Sequence, residues 1–449
     1  MKITVTTEKP ESGQLVATLT IAKKDVDAAI AKTYREIARK YAFQGFRRGR
    51  APRPVIDGIV GRNAVLAEAT NSLLVEAEPL MIEQLDIVPL GQIDYGENPE
   101  LATEKQDYTV VAKIAVRPDV ELDSYDAPAI EMPPEEATEA EIDRQIQVLL
   151  SYQTTFQDVE EDRGAESGDM ILADVENISN LREYEGENRM FSLSDQRLHE
   201  EWREGLLGMR KDEEKEIRWT RSHDREDDEP LSVDFAAKVK VNAIRKAVTP
   251  ELTEDNVKDD FGFDSIEELR DAVKEEVEAD KSASLPRLKE DRVVEAIGEH
   301  LTLEEVPEAY SNQVFQEMAN QFLTQLQGQG MSLDSYLQAR GISSEDFLGD
   351  LHAQAEERAR QSLALDALAA HLNVEVTDDD LKAEFENAGV ADVKATMREF
   401  FAEGRMPAVR ESIRRTKAVE WLVENASVTI VDEIARMNEE NADDENDAE

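Results

Sequence analysis

The run Gly45-Phe46-Arg47-Arg48-Gly49-Arg50-Ala51-Pro52 places three guanidinium groups and a phenyl ring in a short segment punctuated by glycine and proline. A guanidinium is always charged, and its planar fork of donors matches phosphate or carboxylate oxygens. Phe46 adds an apolar anchor, while Gly45 and Gly49 let the backbone turn tightly. The chemistry on offer is capture of an anionic surface. The charge around this run makes its position informative. The 449-residue chain has a formal net charge of -49, yet residues 1–118 hold 16 Lys/Arg against 16 Asp/Glu, so the whole acidic excess lies downstream. From Lys23 to Arg62 there are 11 basic residues, opposed only by Asp25, Asp27, Glu36 and Asp57. A strongly acidic protein repels polyanions. One end is made to touch an anion, and the rest is not.

Other chemistries are excluded by residue type. The chain has no cysteine, so disulfides and thiolate nucleophiles are ruled out. Its histidines, His199, His223, His300, His352 and His371, are scattered without ligand spacing, and no metal site is expected. No glycine-rich phosphate loop of either usual pattern occurs, which predicts action without ATP or any other cofactor. Acidic pairs are too common for one to stand out as an acid/base dyad. No apolar run reaches the roughly 18 residues of a membrane span, and Met1 to Glu8 lacks the apolar core of a signal peptide. A cytoplasmic protein that does not enter membranes is the expectation. The downstream acid has two open readings: a working surface, or simple solubility and salt adaptation.

The elements that must hold the cationic run follow from periodicity. Gln14 to Ile21 alternates, with Leu15, Ala17, Leu19 and Ile21 on one face, as a half-buried strand does. Lys23 to Tyr41 changes to helical spacing through Val26, Ile30, Tyr34, Ile37 and Tyr41. Pro52 and Pro54 stop that helix from continuing. Helical spacing returns from Arg62 to Leu85, and alternation from Lys105 to Val116. The prediction is two helices joined by a cationic loop and braced on a small antiparallel sheet. From Asp119 to Pro134 an acidic, proline-bearing connector leads to a helix capped by Thr138 and Glu141. Short alternating stretches between Ser167 and Arg245 predict a β-rich domain with one short helix near His199 to Leu206. After Pro250 the chain reads as almost wholly helical to Val431, with capping boxes at Ser265/Glu268 and Thr377/Asp380. The end, from Asn438, has almost no apolar content and predicts a disordered acidic tail.

These pieces, in this order, resemble the trigger factor family of bacterial chaperones at the ribosomal exit tunnel. The family's loop pattern, Gly-Phe-Arg-x-Gly-x-x-Pro, is matched by Gly45, Phe46, Arg47, Gly49 and Pro52. The likeness runs end to end and is weakest in the helical part. It implies a ribosome contact at Phe46, Arg47 and Arg48, supported by Arg50, with ribosomal RNA phosphates and an acidic ribosomal protein edge as partners. It also implies that unfolded nascent polypeptides are the clients, and it leaves open a homodimer of the free form.

The middle domain is similar to FK506-binding-type prolyl isomerases. The best-matching run is Glu201-Trp202-Arg203-Glu204-Gly205-Leu206-Leu207-Gly208-Met209, in which Trp202 takes the place of the pocket floor. Tyr184, Phe191 and Leu198 fall at wall positions. Such a pocket works without a nucleophile, because an apolar cleft favours the twisted amide on the way over a barrier of about 18–20 kcal/mol. The sequence departs from the pattern in several places. Val175 stands for an aromatic and His199 for an aliphatic, Glu200 and Glu201 bring acid, and Thr220 to Asp234 holds no tyrosine.

In the helical region Val314, Phe315, Met318, Phe322 and Leu326, then Met331, Leu333 and Leu337, recur at helical spacing among glutamines. Such residues form ordinary helix–helix core. The resemblance implies instead that Phe315, Met318, Phe322, Leu326 and Met331 belong to arms that cradle unfolded chains, where flexible Met adapts to many shapes. The reading is therefore a multidomain α+β protein. It comprises a small α+β ribosome-binding domain (1–118), a connector and helix (119–153) belonging to the helical body, and an FK506-binding-like domain (154–248). An all-helical cradling domain with arm-like helices (249–432) and the acidic tail (433–449) complete it. Two rivals stay open: a prolyl isomerase whose helices recruit substrate, and an RNA-binding protein with a solubilising acidic body.

Overall fold

The computed structural model describes residues 1–8, 13–96, 99–159, 163–195, 198–225, 228–303 and 305–447. It divides into two compact units, one of residues 1–132 with 286–429 and one of residues 133–285 with 430–449. The division falls at Pro286, inside the long helix Ile266–Glu299.

In the first unit, strands Ile3–Thr7, Gln14–Ile21 and Tyr108–Ala115 form an antiparallel sheet in that order, with Leu19 opposite Val5 on one side and Val110 on the other. The predicted face is the buried one: Leu15, Ala17, Leu19 and Ile21 are inside. The opening strand Ile3–Thr7 was not legible as one, since its core-facing residues are only half-buried. Helix Lys23–Lys40 buries Val26, Ile30, Tyr34 and Ile37, and helix Arg62–Leu85 buries Leu66, Ala69, Leu73, Ala77 and Met81 against the same core. Tyr41, expected to continue the buried stripe, is the C-cap and is 51% exposed. Phe43, two residues on, is buried in its place. A short helix, Arg53–Val60, also begins where only a loop was expected. Pro54 stands in its first turn, where an amide N–H has no intrahelical partner to lose.

The rest of this unit is helical: Glu308–Gly328, Leu333–Arg340, Ser344–His371, Asp378–Asn387, Val393–Ala402 and Met406–Asn425. The capping box at Thr377 and Asp380 forms as predicted. One exception to the helical expectation is a strand beginning at Ser427, which pairs with Ala129–Met132. Four residues with a partner so remote in sequence carry too little periodicity to be recognised. Arg117, just past the sheet, is shared by Asp366 (2.7 Å) and Glu411, and Arg415 also holds Asp366 at 2.6 Å. Arg410 binds Glu83 and Asp86, and Arg414 reaches Asp86 at 2.6 Å. Burial pushes the Asp366 carboxyl up to about 7 against the pull of Arg117, with Glu411 adding to the rise.

The second unit contains helix Glu139–Ser151, whose Thr138/Glu141 capping box is present, and an antiparallel sheet. Strands run in the order Thr155–Asp158, Asp228–Val248, Met170–Ser179, Gly186–Ser192, with Glu214–Arg225 also paired to Asp228–Val248. The short helix lies at Glu200–Leu206. At the third predicted box, Ser265 Oγ accepts from Glu268 N–H (3.2 Å), but the Glu268 carboxylate takes the N–H of Asp264 rather than of Ser265. Gly164 is required by contact: a Cβ there would lie 2.5 Å from the carbonyl oxygen of Gly208. The expected disordered tail is instead a helix, Glu433–Asp447. It packs against Glu139–Ser151.

Candidate functional site

The cationic loop is pinned at few points. Phe43 is buried in the core, and its carbonyl accepts from Phe46 N–H at 3.0 Å. Gly49 donates its N–H to the Ala38 carbonyl at the end of the first helix (2.7 Å), and Arg50 donates to the Arg47 carbonyl (2.9 Å). Gly45 and Gly49 have φ of 86° and 80°, the left-handed region that a side chain disfavours. The outcome is a tight double turn with every functional side chain outside. Phe46 is 43% exposed, and Arg47, Arg48 and Arg50 are exposed. Among the described residues no carboxylate pairs with any of these three arginines.

The next arginine differs. Arg53 pairs with Glu104 at 2.6 Å, and its guanidinium lies 4.7 Å from the centre of the Tyr34 ring. Tyr34 in turn donates to Asp57 at 2.5 Å, and burial together with that bond pushes its hydroxyl up to about 12. Arg53 is thus built into the scaffold, while Arg47, Arg48 and Arg50 have no carboxylate partner among the described residues. Pro52 is the N-cap of the following helix and ends the loop. Sequence reasoning found the loop but missed Phe43, although it is the apolar residue that the helical stripe needs once the helix ends at Lys40.

The second candidate site gathers the isomerase-like residues. Trp202 is fully buried, with Tyr184 at 4.9 Å and Phe191 at 5.4 Å between ring centres. Tyr184 and Phe191 meet edge to face at 5.7 Å. These three predicted residues do come together, and Leu198 packs on the same core. Two further rings were missed. Trp219 and Phe235, from separate strands, stack at 5.1 Å, and His199 lies 5.5 Å from each. Their strand alternation was visible, but nothing local tells which strand face meets the helix bearing Trp202. The Tyr184 hydroxyl accepts from the His199 backbone N–H at 3.3 Å. The acid expected beside this site is partly neutralised, because Glu201 pairs with Arg221 at 3.2 Å. The indole nitrogens of Trp202 and Trp219 are both buried without a hydrogen-bond partner among the described residues.

The cradle candidates divide. Leu326 is buried between helices, as a core residue is. Phe315 is half-buried and stacks on His352 at 3.8 Å, and Met318 is also half-buried. Phe322 joins Tyr336 and Phe347, each at 5.2 Å, in an aromatic trio. Met331 is 39% exposed, and Leu323, Ile342 and Leu348 are exposed in the neighbouring helices and turns. No metal-holding group of His, Asp and Glu occurs among the described residues.

Known proteins match this sequence along most of its length. The family model for bacterial trigger factor protein matches residues 1–149, and that for the trigger factor C-terminus matches residues 265–424. The trigger factor of Lysinibacillus sphaericus is 30% identical over 429 residues, spanning 94% of this chain and 99% of its own. This chain belongs to the trigger factor family. The trigger factor of Halalkalibacterium halodurans is 27% identical over 433 residues, covering 93% of this chain and 98% of its own. A solved trigger factor chaperone aligns over 94% of this chain and 99% of its own at 18% identity, with a TM-score of 0.38. Both matched segments of the trigger factor models fall on the architecture just described, the first including the cationic loop.

Proposed function

We propose that this trigger factor family member is an ATP-independent chaperone that attaches to the large ribosomal subunit beside the exit tunnel through the 45–52 loop and shields emerging chains with its helical region. Family membership supports the ribosome-associated chaperone role. The observation that carries the attachment site is the exposed Phe46 flanked by Arg47, Arg48 and Arg50, cations without a carboxylate partner among the described residues, on a loop fixed by Phe43 and Gly49. Ribosomal RNA phosphates and an acidic protein edge suit these groups. The exposed apolar residues around Met331 and the Phe322 trio suit a cradle for apolar segments, with contacts weak enough to reverse without nucleotide. No helix among the described residues is long and apolar enough to cross a membrane.

The aromatic cluster around Trp202 favours a second activity for the middle domain, peptidyl-prolyl isomerisation. Neither rival reading accounts for both the free cationic loop and this cluster in one chain. The test is ribosome cosedimentation of Phe46→Ala/Arg47→Ala/Arg48→Ala beside an aggregation assay in solution. The expected result is lost ribosome binding with protection in solution largely kept. Undiminished cosedimentation of the triple variant overturns the assignment of the loop.

A further inference from the structure

The antiparallel sheet of the N-terminal module has two edges, and they are treated differently. Beside strand Tyr108–Ala115, Leu90 donates its N–H to the Ala115 carbonyl (2.8 Å), and Asp94 and Lys113 exchange backbone bonds of 3.0 and 2.8 Å. The opposite edge, Ile3–Thr7, has its inner neighbour Gln14–Ile21 and no outer one among the described residues. Its alternation is read from the bonds that extend the ladder at either end. Glu8 donates its N–H to the Val16 carbonyl (3.0 Å), and Ala22 donates to the Lys2 carbonyl (3.3 Å). Lys2, Thr4, Thr6 and Glu8 therefore bond inward, and Ile3, Val5 and Thr7 each turn an N–H and a C=O outward. Such an edge is a template for another strand, which proteins blunt with charge, proline or a bulge. Ile3-Thr4-Val5-Thr6-Thr7 has none of these and is β-branched throughout.

We propose that a second copy of this chain adds its own Ile3–Thr7 to this edge, antiparallel about Val5, joining two three-stranded sheets into one continuous sheet. The strand is complementary to itself in that register. Ile3 lies opposite the partner's Thr7, and Val5 opposite the partner's Val5, so every outward N–H meets an outward C=O. Lys2 lies opposite the partner's Glu8, and two-fold symmetry makes that pair twice. Both side chains are exposed, and neither has an ion-pair partner among the described residues. Thr4 meets the partner's Thr6 on the outer face, continuing a row in which Thr4 already pairs with Thr20 and Thr6 with Thr18. Sliding the strands by two residues loses both charge pairs and leaves outward groups unmatched. An unrelated extended chain can satisfy the backbone but not the two charges, and that selects a second copy. The interface is independent of both the ribosome attachment and the isomerase reading.

The experiment uses the full chain, which has no cysteine, so an introduced thiol is the only one present. Thr4→Cys and Thr6→Cys are made as separate proteins. Facing residues of a non-hydrogen-bonded pair have Cα atoms about 4.5 Å apart, within disulfide reach, whereas like residues of the two copies are more than about 7 Å apart. Oxidation of the mixture is expected to give the mixed disulfide dimer at least about tenfold faster than either protein alone gives its own. Sedimentation velocity over a concentration series, in about 0.15 M salt to screen the acidic remainder, measures the dimer Kd. Glu8→Lys sets like charges opposite each other twice and is expected to raise Kd about tenfold, and Lys2→Glu/Glu8→Lys to return it. Thr7→Pro removes an outward N–H, leaves the inner ladder intact and is expected to raise Kd about tenfold. Equal disulfide rates in the mixture and the single proteins overturn the proposal. So does a wild type that stays monomeric, a Kd that Glu8→Lys leaves unchanged, or a double reversal that does not restore it. If Thr7→Pro weakens capture of an unfolded polypeptide but not self-association, the edge serves an extended client and the proposal falls.

Discussion

The distinction between free and built-in arginines gives a measurable electrostatic signature. Each phosphate neutralised by a cation makes log K fall with log salt by roughly 0.7 to 0.9. Arg47, Arg48 and Arg50 have no carboxylate partner among the described residues, whereas Arg53 is committed to Glu104 at 2.6 Å. Replacing all three free arginines by Ala should therefore lower the magnitude of the salt slope of ribosome binding by about 2 to 2.7. Across a fourfold rise in salt, from about 50 to 200 mM, that difference corresponds to roughly 20- to 40-fold in K. Arg53→Ala should change the slope by much less than one charge. It should show its effect in stability, because it also uncovers one face of Tyr34. The assay is binding of fluorescently labelled protein to purified ribosomes over a series of KCl concentrations, with each variant's slope compared to wild type. An unaltered slope in the triple variant, or a loss in Arg53→Ala equal to that of any single free arginine, would refute the reasoning.

Two further outcomes follow from the scaffold. Asp366 is raised from an ordinary 3.8 to about 7, chiefly by burial. Between those values the folded chain holds a proton that the unfolded chain has lost, so stability is full at the acid end and falls as pH rises to about 7. Asp366→Asn should flatten that decline, which is on the order of a few kcal/mol, in urea unfolding at pH 5 and 8; an equal pH difference in both proteins counts against it. Gly164→Ala should cost about 1–3 kcal/mol through the clash with the Gly208 carbonyl, while ribosome binding stays intact, and unchanged thermal unfolding of the middle domain would contradict this.

What the sequence made legible was local. Strand Gln14–Ile21, the stripes of the two long N-terminal helices, and the Thr138 and Thr377 boxes each express a period or a spacing inside a dozen residues. The cationic loop was legible for the same reason, its residues being contiguous. Tyr41 was assigned to the core because helical spacing continues through it, yet the helix unwinds at that residue and Phe43 fills the position. Helix Arg53–Val60 was hidden by its prolines, which mark a boundary from either side. What the sequence hid was pairing over distance. Nothing near Ser427 points to Ala129–Met132, and nothing near Trp219 points to Phe235 or His199. The tail shows another limit: a segment too polar to form a core can still be helical once it has a neighbour to lie on.

The ion pairs of Arg117, Glu83 and Asp86 bear on how this protein is itself made. The N-terminal sheet and its helices have a core of their own, complete once Val116 has been synthesised. Their partners Asp366, Arg410, Glu411 and Arg414 come some 250 to 330 residues later. A growing copy therefore carries a finished N-terminal module, with Arg117, Glu83 and Asp86 still unmatched, through most of its own translation. The last hundred residues close those pairs, and until they emerge a half-built guardian is as much in need of shelter as any client.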